Sequence, residues 1–244
     1  MVGMIFAAGL GTRLKPLTDT MPKALVPLAD KPLLQWQVEK LHDAGITDII
    51  VNVHHFPDQI IDTVRANQGW GCNITISDER DMLLDTGGGL KKAIRLLMDN
   101  GQWIMDNEPI LACNVDILSN IDLDAFLNSY DPSTLGSLVV SDRQTQRYLC
   151  FDAQNTLCGW TNIKTGELKG KDGRHMAFSG MQILSPDALA LLNEMPEEKF
   201  SLIDFYLHVM DKLPLQAYIP SDYQMMDVGK IDQIEEAERF AESL

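Results

Sequence analysis

The amino-terminal half of the chain alternates short apolar runs with patterns in which apolar residues recur every three or four positions. The runs are typical of buried strands, and the spaced patterns are typical of amphipathic helices. Strands are therefore predicted at residues 3–6, 48–53, 73–77 and 109–114. Helices are predicted from Pro32 to a stop at Gly45, and at residues 57–67 and 89–98. This β-α-β-α-β-α-β order indicates a parallel sheet covered by helices on both faces.

The pattern changes in the second half of the chain. A helix at 123–130 and a strand at 136–140 precede a predicted hairpin of strands at 148–152 and 157–160. The remaining predicted elements are a charged, glycine-rich loop at 164–174, strands at 176–184 and 215–219, and helices at 186–192, 202–210 and 231–243. We expect this part to lie over the sheet. Because no linker is rich in Pro, Gly or Ser, residues 1–244 are predicted to form a single domain.

The charge of the chain excludes some classes of partner. With 20 basic and 35 acidic residues the formal net charge is −15, so nucleic acid and anionic membrane would repel the chain as a whole. One window differs, because residues 9–23 hold Arg13, Lys15 and Lys23 against a single acid, Asp19. This window is suited to a small anionic ligand.

The cysteines and the apolar runs predict a cytoplasmic protein. Cys72, Cys113, Cys150 and Cys158 form no CxxC pair, which favours reduced thiols over a disulfide framework or a zinc site. No apolar run reaches the length of a membrane span, and residues 1–10 lack the features of a signal peptide.

The first candidate for chemistry is the segment FAAGLGTR at residues 6–13, directly after the first predicted strand and followed by Lys23. Small residues at the carboxyl end of a strand let backbone N–H groups approach phosphate oxygens. Arg13 and Lys23 would add positive charge. The segment is neither a P-loop nor a complete GxGxxG, because Leu14 occupies the third glycine position. The alternative is a glycine turn with solvated charges, which the basic residues make less favourable.

The second candidate is the segment DTGGG at residues 85–89, which opens a predicted helix. Three consecutive glycines carry an entropic cost, and close approach of a base or a phosphate to bare backbone would explain them. The alternative is a flexible helix entry with Asp85 or Thr86 as its N-cap. The segment alone does not decide between the two.

The third candidate is a pair of carboxylates, Asp116, just past the predicted strand at 109–114, and Asp227 in the segment MDVG at 226–229, both interpreted as lying where a strand ends. Mg²⁺ binds one or two carboxylates together with substrate phosphates and water. The alternative is that each aspartate is a cap or turn residue, since Asp is common there. His54 and His55 point to opposite faces of an extended chain and show no metal-ligand spacing.

Taken together, these segments resemble the nucleotidyltransferases that make nucleotide-activated sugars. The resemblance rests on AAGLGTRLKPLT at 7–18, PKALVP at 22–27, KPL at 31–33, DTGGG at 85–89, NVD at 114–116, FSG at 178–180 and DVG at 227–229. It spans nearly the whole chain. The short length and the TGGG segment are most similar to the branch containing N-acetylmuramate 1-phosphate uridylyltransferase and short mannose-1-phosphate guanylyltransferases, which points to cell-wall or related sugars.

The resemblance implies a Rossmann-like α/β fold with a mixed, mostly parallel central sheet, helices on both faces and a small β-rich sugar-binding portion. The nucleotide-binding part would span about 1–145 and the sugar-phosphate part about 146–230, followed by the C-terminal helix 231–243. The implied reaction transfers a nucleotidyl group from a nucleoside triphosphate to a sugar 1-phosphate and releases pyrophosphate, with Mg²⁺ as cofactor.

The resemblance also implies roles for individual residues. The implied catalytic residues are Arg13 and Lys23, and the metal ligands are Asp116 and Asp227. The implied nucleotide-binding residues are Ala7, Ala8, Gly9, Gly11, Thr12, Arg13, Lys23, Asn52, Asp85, Thr86, Gly87 and Gly88, with Gly89 in the same loop. The implied sugar-phosphate residues are Asn114, Ser179, Gly180 and Asp204. The basic contact to the sugar phosphate has only weak candidates, Lys169, Lys171 and Arg174.

Two positions depart from the family pattern. The family usually has glycine before the metal aspartate, where this chain has Val115, and threonine is common where this chain has Lys230. Neither change removes a charged catalytic group. Both affect residues in close contact with the implied site.

Alternatives remain for the function and for the substrates. A non-catalytic nucleotide-sugar sensor is one alternative, although a pure sensor would not need Arg13, Lys23, Asp116 and Asp227 together. A dinucleotide-dependent oxidoreductase is another, disfavoured by the missing third glycine. UTP with N-acetylmuramate 1-phosphate is the first choice of substrates, and GTP with mannose 1-phosphate is the second. The chain is expected to be a monomer or a homodimer, with Trp36, Trp70, Trp103 and Trp160 as candidate interface anchors.

Overall fold

A computed structural model describes residues 1–99 and 108–244 of the chain. Trp103, one of the candidate interface anchors, lies outside the described residues. The strands are β1 (Val2–Phe6), β2 (Pro27–Leu28), β3 (Lys31–Pro32), β4 (Asp48–Val53), β5 (Asn73–Asp78), β6 (Ile110–Asn114), β7 (Ile117–Ser119), β8 (Gly136–Ser141), β9 (Arg147–Phe151), β10 (Leu157–Asn162), β11 (Glu167–Gly170), β12 (Arg174–Leu184), β13 (Leu215–Tyr218) and β14 (Met225–Asp227). The α-helices are α1 (Leu33–Asp43), α2 (Pro57–Ala66), α3 (Asp85–Asp99), α4 (Leu123–Asn128), α5 (Pro186–Asn193), α6 (Leu202–Val209) and α7 (Ile234–Ala241).

Ten of these strands form one central sheet in the order β11-β10-β9-β12-β6-β1-β4-β5, with β8 paired to β12 and β13 paired to β8. The amino-terminal strands are parallel, since β1 pairs with β4 and β6, and β4 pairs with β5. The strands from the second half join mainly in antiparallel pairs. The mixed α/β sheet expected from the sequence is therefore confirmed.

The strands of the second half extend the sheet, whereas its helices α4–α7 pack over the two faces. The expectation was wrong for these strands, because β12 is eleven residues long and pairs along its length with β6, β8 and β9. Part of the predicted loop at 164–174 is also a strand, β11, which pairs antiparallel with β10. All four residues of β11 are exposed, so the segment lacks the apolar alternation that identifies a half-buried strand.

The core lies on both faces of the sheet, because successive side chains of a strand point to opposite sides. On β1, Ile5 packs on one face with α1, α2, α4 and α7, and Met4 packs on the other face with α3, α5 and α6. Both side chains are fully buried. The predicted arrangement of helices on both faces is thus present.

The helix boundaries follow local chemistry. Pro32 is the N-cap of α1, and Gly45 adopts a φ of 77° where its N–H donates to His42 O at 2.8 Å. A left-handed residue directly after a helix is typical of a glycine stop. The third helix begins at Asp85, before the predicted start at Gly89. No helix in residues 1–99 or 108–244 is long and apolar enough to cross a membrane.

Candidate active site

A cavity of about 410 Å³ opens at the carboxyl ends of β1, β4 and β6. Ligands of open α/β sheets bind at this edge of the sheet. The cavity is lined by Phe6, Ala7, Ala8, Gly9, Lys23, Asn52, Leu83, Asp85, Thr86, Asn114, Val115, Asp116 and Lys199. Nine of these positions carry site predictions from the sequence, and they come from segments distant along the chain.

The glycine-rich segment after β1 is held in shape by its neighbours. The Ala7 N–H donates to Asn52 Oδ1 at 2.8 Å, and the Thr18 hydroxyl donates to Gly11 O at 2.8 Å. Gly11 adopts a φ of 63°, and a Cβ there would lie 2.8 Å from Thr18 Cγ2. Gly11 is therefore required by backbone conformation and by space. By contrast, a Cβ on Gly9 would meet nothing within 4 Å, so Gly9 leaves bare backbone on the cavity wall.

Asn52 links this segment to a buried carboxylate. Its side chain is almost fully buried and donates to Glu79 Oε1 at 2.7 Å, while the Leu84 N–H donates to Glu79 Oε2 at 3.2 Å. Burial raises the pKa of Glu79 above its ordinary value, against the opposing effect of these hydrogen bonds. Asn52 thus lines the cavity, but both polar atoms of its side chain are bonded to protein, so its observed role is to hold the Ala7 loop.

Lys23 and Asp116 form an ion pair at the cavity wall. The Lys23 ammonium donates to Asp116 Oδ2, with the side chains only 9% and 23% exposed. A charge pair with so little water around it interacts more strongly than a pair on the surface. Lys23, the predicted catalytic cation, is therefore in direct contact with Asp116, one of the two predicted metal ligands.

The two predicted metal ligands come together, as their strand-end positions suggested. Strands β7 and β14 pair antiparallel, with Asp227 opposite Ile117, and the Val228 N–H donates to Asp116 O at 2.9 Å. Neither strand was predicted, because three residues are too few to show an apolar period. This pairing brings the backbones of positions 116 and 227 side by side.

Helix α1 supports the β7 strand from behind. Gln37, 1% exposed, donates to Ile117 O at 2.8 Å, and the Lys40 ammonium donates to Ser119 O at 2.5 Å. Burial lowers the pKa of Lys40 to about 8. The carboxylate loop is therefore fixed from the core side of the sheet.

Arg13 approaches the second carboxylate. Its guanidinium lies 3.9 Å from Asp227 Oδ2, and a Cβ on Gly229 would lie 2.9 Å from the same guanidinium nitrogen. The other oxygen, Asp227 Oδ1, is buried and has no hydrogen-bond partner among the described residues. A buried carboxylate oxygen without a donor, beside a second carboxylate, is a donor set that a hard cation such as Mg²⁺ would satisfy.

The glycines of the DTGGG segment lie against protein and not in the cavity. The Gly87 and Gly88 N–H groups both donate to Phe200 O, at 2.9 and 3.1 Å. A Cβ would lie 2.4 Å from the Phe200 ring at Gly87 and 2.1 Å from Glu198 O at Gly88. Gly89 is equally tight, because its Cβ would lie 2.7 Å from Glu79 Oε1. The expectation that these glycines face a base is therefore corrected. Their missing side chains leave room for the segment at 198–200 to pack against α3. Asp85 and Thr86 do line the cavity.

That segment carries a lysine that the sequence patterns did not single out. Lys199 is exposed and lines the cavity together with residues of the glycine-rich loop. It is positioned by Lys91, a 2% exposed residue of α3 whose ammonium donates to Met195 O at 2.6 Å, Glu197 O at 3.1 Å and Glu198 Oε1 at 3.0 Å. A lone lysine in a polar loop has no sequence signal, so only the fold identifies it.

The predicted sugar-phosphate residues divide into two groups. Asn114 lines the cavity, and Gly180 adjoins it with a φ of 72° and a Cβ position 2.9 Å from Asn114 Nδ2. Ser179 is 1% exposed, and its hydroxyl lies 3.4 Å from that of Ser141. Asp204 belongs elsewhere, because it forms a capping box with Ser201 at the start of α6 and faces a separate cavity. Its assignment to the sugar-phosphate side is corrected to a helix cap.

The other basic candidates and Thr12 do not line the cavity. The Lys169 ammonium lies 5.4 Å from the Trp160 ring centroid on the edge strand β11. Lys171 and Arg174 are exposed beyond the end of that strand. Thr12 begins a short 3₁₀ turn beside the glycine-rich loop. Lys23 and Lys199 are thus the two lysines of the cavity lining.

The arrangement joins three chemical features at one sheet edge. Bare backbone after β1 suits phosphate oxygens, Lys23 and Arg13 supply positive charge, and Asp116 with Asp227 supply oxygen ligands. Such a site can bind a polyanion with a divalent cation and can stabilise charge that develops on phosphate.

Comparison with known proteins agrees with this geometry. The family model for nucleotidyl transferases matches residues 2–243. An N-acetylmuramate alpha-1-phosphate uridylyltransferase of Caulobacter vibrioides is 31% identical over 214 residues, which cover 84% of this chain and 82% of that protein. Mannose-1-phosphate guanyltransferase 2 of Candida glabrata is 39% identical over 119 residues, which cover 48% of this chain and 31% of that protein.

The fold has solved counterparts. The crystal structure of HddC from Yersinia pseudotuberculosis, complexed with GMP-PN, superposes with a TM-score of 0.75 at 24% identity and covers 99% of this chain and 100% of that one. This similarity concerns the fold. On the family match and the similarity along most of the chain, the protein belongs to the nucleotidyl transferase family, among its sugar-1-phosphate nucleotidyltransferases.

Proposed function

We propose that the chain transfers a uridylyl group from UTP to N-acetylmuramate 1-phosphate, releasing pyrophosphate, with Mg²⁺ as cofactor, in the cytoplasm. The observation that carries the reaction is the ion pair of Lys23 and Asp116 in the wall of the cavity that the glycine-rich loop borders, with Asp227 on the strand that pairs beside Asp116. The choice of substrates is supported by the similarity to the uridylyltransferase of Caulobacter vibrioides over 84% of the chain.

The chemistry follows from charge and position. An oxygen of the sugar 1-phosphate attacks the α-phosphorus of the triphosphate, a new P–O bond forms, and the bond to the β-phosphate oxygen breaks. The electron pair leaves with pyrophosphate. No side-chain base is needed, because the attacking phosphate is already ionised. Positioning and electrostatic stabilisation therefore account for most of the catalysis.

The residues of the chain divide this work. Backbone N–H groups of the loop at 7–12 hold phosphate oxygens, and Arg13 and Lys23 stabilise the charge that develops on the leaving pyrophosphate. Asp116 and Asp227 would hold Mg²⁺, which would supply positive charge to phosphate oxygens. Lys199, the second lysine among the described residues of the cavity lining, is available to a second phosphate.

The ion pairs have a consequence for substrate binding. Lys23 is paired with Asp116, and Arg13 lies near Asp227. Binding of a triphosphate together with Mg²⁺ offers each cation a phosphate and each carboxylate a metal. The exchange keeps every charge compensated, which lowers the desolvation cost of binding.

Transfer from GTP to mannose 1-phosphate is the second candidate. It is supported by the 39% identity to the guanyltransferase of Candida glabrata over 119 residues. That match spans under a third of the relative, against 82% for the uridylyltransferase, so the uridylyl reaction is preferred.

The experiment is an assay of pyrophosphate release from each of the four common nucleoside triphosphates with a panel of sugar 1-phosphates. We expect release only with UTP and N-acetylmuramate 1-phosphate, and its loss on chelation of Mg²⁺. Asp116→Asn should abolish release, whereas Asp124→Asn, an exposed aspartate on α4, should not. A preference for GTP and mannose 1-phosphate would replace the substrates. Nucleotide binding without release on any pair would indicate a sensor.

A further inference from the structure

A second group of metal-ligating side chains lies away from the central cavity, on the strand pair β9–β12. Cys150 Sγ, an Asp172 carboxylate oxygen and a His175 ring nitrogen all lie within 4.8 Å of one another. His175 Nε2 is 2.8 Å from Asp172 Oδ1, and Cys150 Sγ is 4.0 Å from the same oxygen. None of the three lines the central cavity. They are therefore not part of the proposed reaction.

The fold places these side chains together in a defined way. Cys150 and His175 are directly opposite each other in the antiparallel pairing of β9 with β12, so their side chains share one face of the sheet. Asp172 precedes β12 in a tight connection, because a Cβ on Gly173 would lie 2.4 Å from Phe151 O. The Asp172 carboxylate also accepts the Gly173 N–H at 2.9 Å. The cluster is thus held by sheet pairing and by a close backbone crossing.

The donor set identifies the kind of ion. A thiol, an imidazole and a carboxylate are the three side-chain types that bind Zn²⁺, whereas Mg²⁺ and Ca²⁺ prefer oxygen alone. Zinc bonds of about 2.0–2.3 Å in a tetrahedron place neighbouring ligand atoms roughly 3–4 Å apart. The separations of Asp172 Oδ1 from His175 Nε2 and Cys150 Sγ, 2.8 and 4.0 Å, lie close to the two ends of this range, and Cys150 and His175 offer ligand atoms within 4.8 Å of each other.

A second thiol, Cys158 on β10, lies beside the group but is not one of the three atoms within 4.8 Å of one another, and its sulfur contacts backbone carbonyls. Cys158 Sγ lies 3.3 Å from Cys150 O and 3.9 Å from Asp172 O, and a Cβ on Gly173 would lie 3.2 Å from this sulfur. Structural zinc sites have four protein ligands, and a second thiol completes such a set. The sequence carries no sign of this arrangement, because the ligands are separated irregularly along the chain.

We propose that Cys150, Asp172 and His175 bind one Zn²⁺ ion, and that the Cys158 side chain rotates to take the fourth position. The ion would join β9, β10 and β12 to the connection at 171–173 and so fix the β-rich edge of the sheet. Binding converts the Cys150 and Cys158 thiols to thiolates and releases their protons to solvent.

The test uses Co²⁺ as a spectroscopic substitute for Zn²⁺ on the reduced full-length chain. Thiolate coordination gives Co²⁺ a near-ultraviolet charge-transfer band, which oxygen ligands at Asp116 and Asp227 do not give. We expect the band to saturate at one Co²⁺ per chain and to disappear on addition of one equivalent of Zn²⁺. Zn²⁺ should also raise the melting temperature, and a chelator should reverse the rise.

Variants locate the site. Cys150→Ser and Cys158→Ser should each weaken or abolish the band, and Asp172→Asn and His175→Gln should each lower Zn²⁺ affinity more than ~10-fold. Because Asp172 and His175 are exposed, their variants remain informative if the buried Cys150 variant fails to fold. Cys72→Ser and His42→Gln, which lie elsewhere in the fold, are the matched controls and should bind normally.

Three results would overturn the proposal. They are the absence of a thiolate band, a band that survives in both Cys150→Ser and Cys158→Ser, and Zn²⁺ affinity that is the same in the Asp172 and His175 variants as in the native chain. The pyrophosphate-release assay tests the proposed function separately, so its failure would not affect any of these three results.

Discussion

Lys23 and Asp116, ninety-three positions apart in the chain, form an ion pair whose side chains are 9% and 23% exposed at the wall of the central cavity. The pair places the cation expected to stabilise the leaving group against a carboxylate expected to hold the metal. Removing either charge leaves the other unpaired at a position with little access to water.

We expect Lys23→Ala to lower kcat about 10²- to 10³-fold, the usual effect of removing a group that stabilises developing charge. The fold should persist, because the short side chain leaves water access to Asp116. Lys15→Ala is the control, since Lys15 forms an exposed ion pair with Asp19. Steady-state kinetics and circular dichroism together check this prediction. A near-normal kcat in Lys23→Ala would remove Lys23 from the catalytic role.

Two glycine substitutions should separate structure from binding. Gly88→Ala should destabilise the fold strongly, because its Cβ would lie 2.1 Å from Glu198 O. Gly9→Ala meets nothing within 4 Å of the new atom, so it should fold normally and raise the KM for the nucleoside triphosphate by crowding the phosphate oxygens. Thermal unfolding and nucleotide titration of both variants provide the measurement. Normal stability of Gly88→Ala would contradict the assignment of this glycine to packing.

Lys91→Met should loosen the segment that carries Lys199. Methionine fills similar space but leaves Met195 O and Glu197 O without their donor, at a cost of about 2 kcal/mol in the free energy of unfolding. The KM for substrate should rise more than kcat falls, since the lost bonds position Lys199 and do not touch the reacting atoms. Denaturant unfolding and kinetics check both effects.

The neighbouring lysine is the matched control for that experiment. Lys92 is exposed, so Lys92→Met should leave the free energy of unfolding close to the native value. An equal loss of unfolding free energy in Lys91→Met and Lys92→Met would mean that the buried hydrogen bonds of Lys91 do not account for the loss.

Glu79 should give the stability a recognisable pH dependence. Burial raises its pKa in the folded chain, so its contribution to stability is complete below its ordinary pKa of 4.5. As the pH rises, the unfolded chain loses this proton first, and the contribution falls until the folded carboxyl has ionised too. Glu79→Gln removes the proton and therefore the dependence. Urea unfolding of both proteins across pH measures the effect. The free energy of unfolding of the native chain, relative to that of Glu79→Gln, should fall as the pH rises. A relative free energy of unfolding that rises with pH would contradict the prediction.

The sequence was informative where chemistry is local, and less so where it depends on packing. The strand Asp48–Val53 was predicted with its observed bounds because its apolar run is continuous. The pairing of Asp116 with Lys23 and the contact of Gly88 with Glu198 join distant segments, and no local pattern encodes them. For the same reason the DTGGG glycines were assigned to ligand, although a neighbouring loop occupies their space. Asp204 had the appearance of a site residue because a capping aspartate and a binding aspartate look alike in sequence.

The length of β12 limits how the protein can be divided. Residues 1–145 contain the glycine-rich loop and both lysines of α3, but they end before the strand that pairs with β6. Expressed alone, that fragment would present the backbone of β6 as an open sheet edge, ready to pair with other chains. It would precipitate rather than serve as a minimal nucleotide-binding module, and the same strand would hinder grafting of a foreign sugar-binding half onto this one.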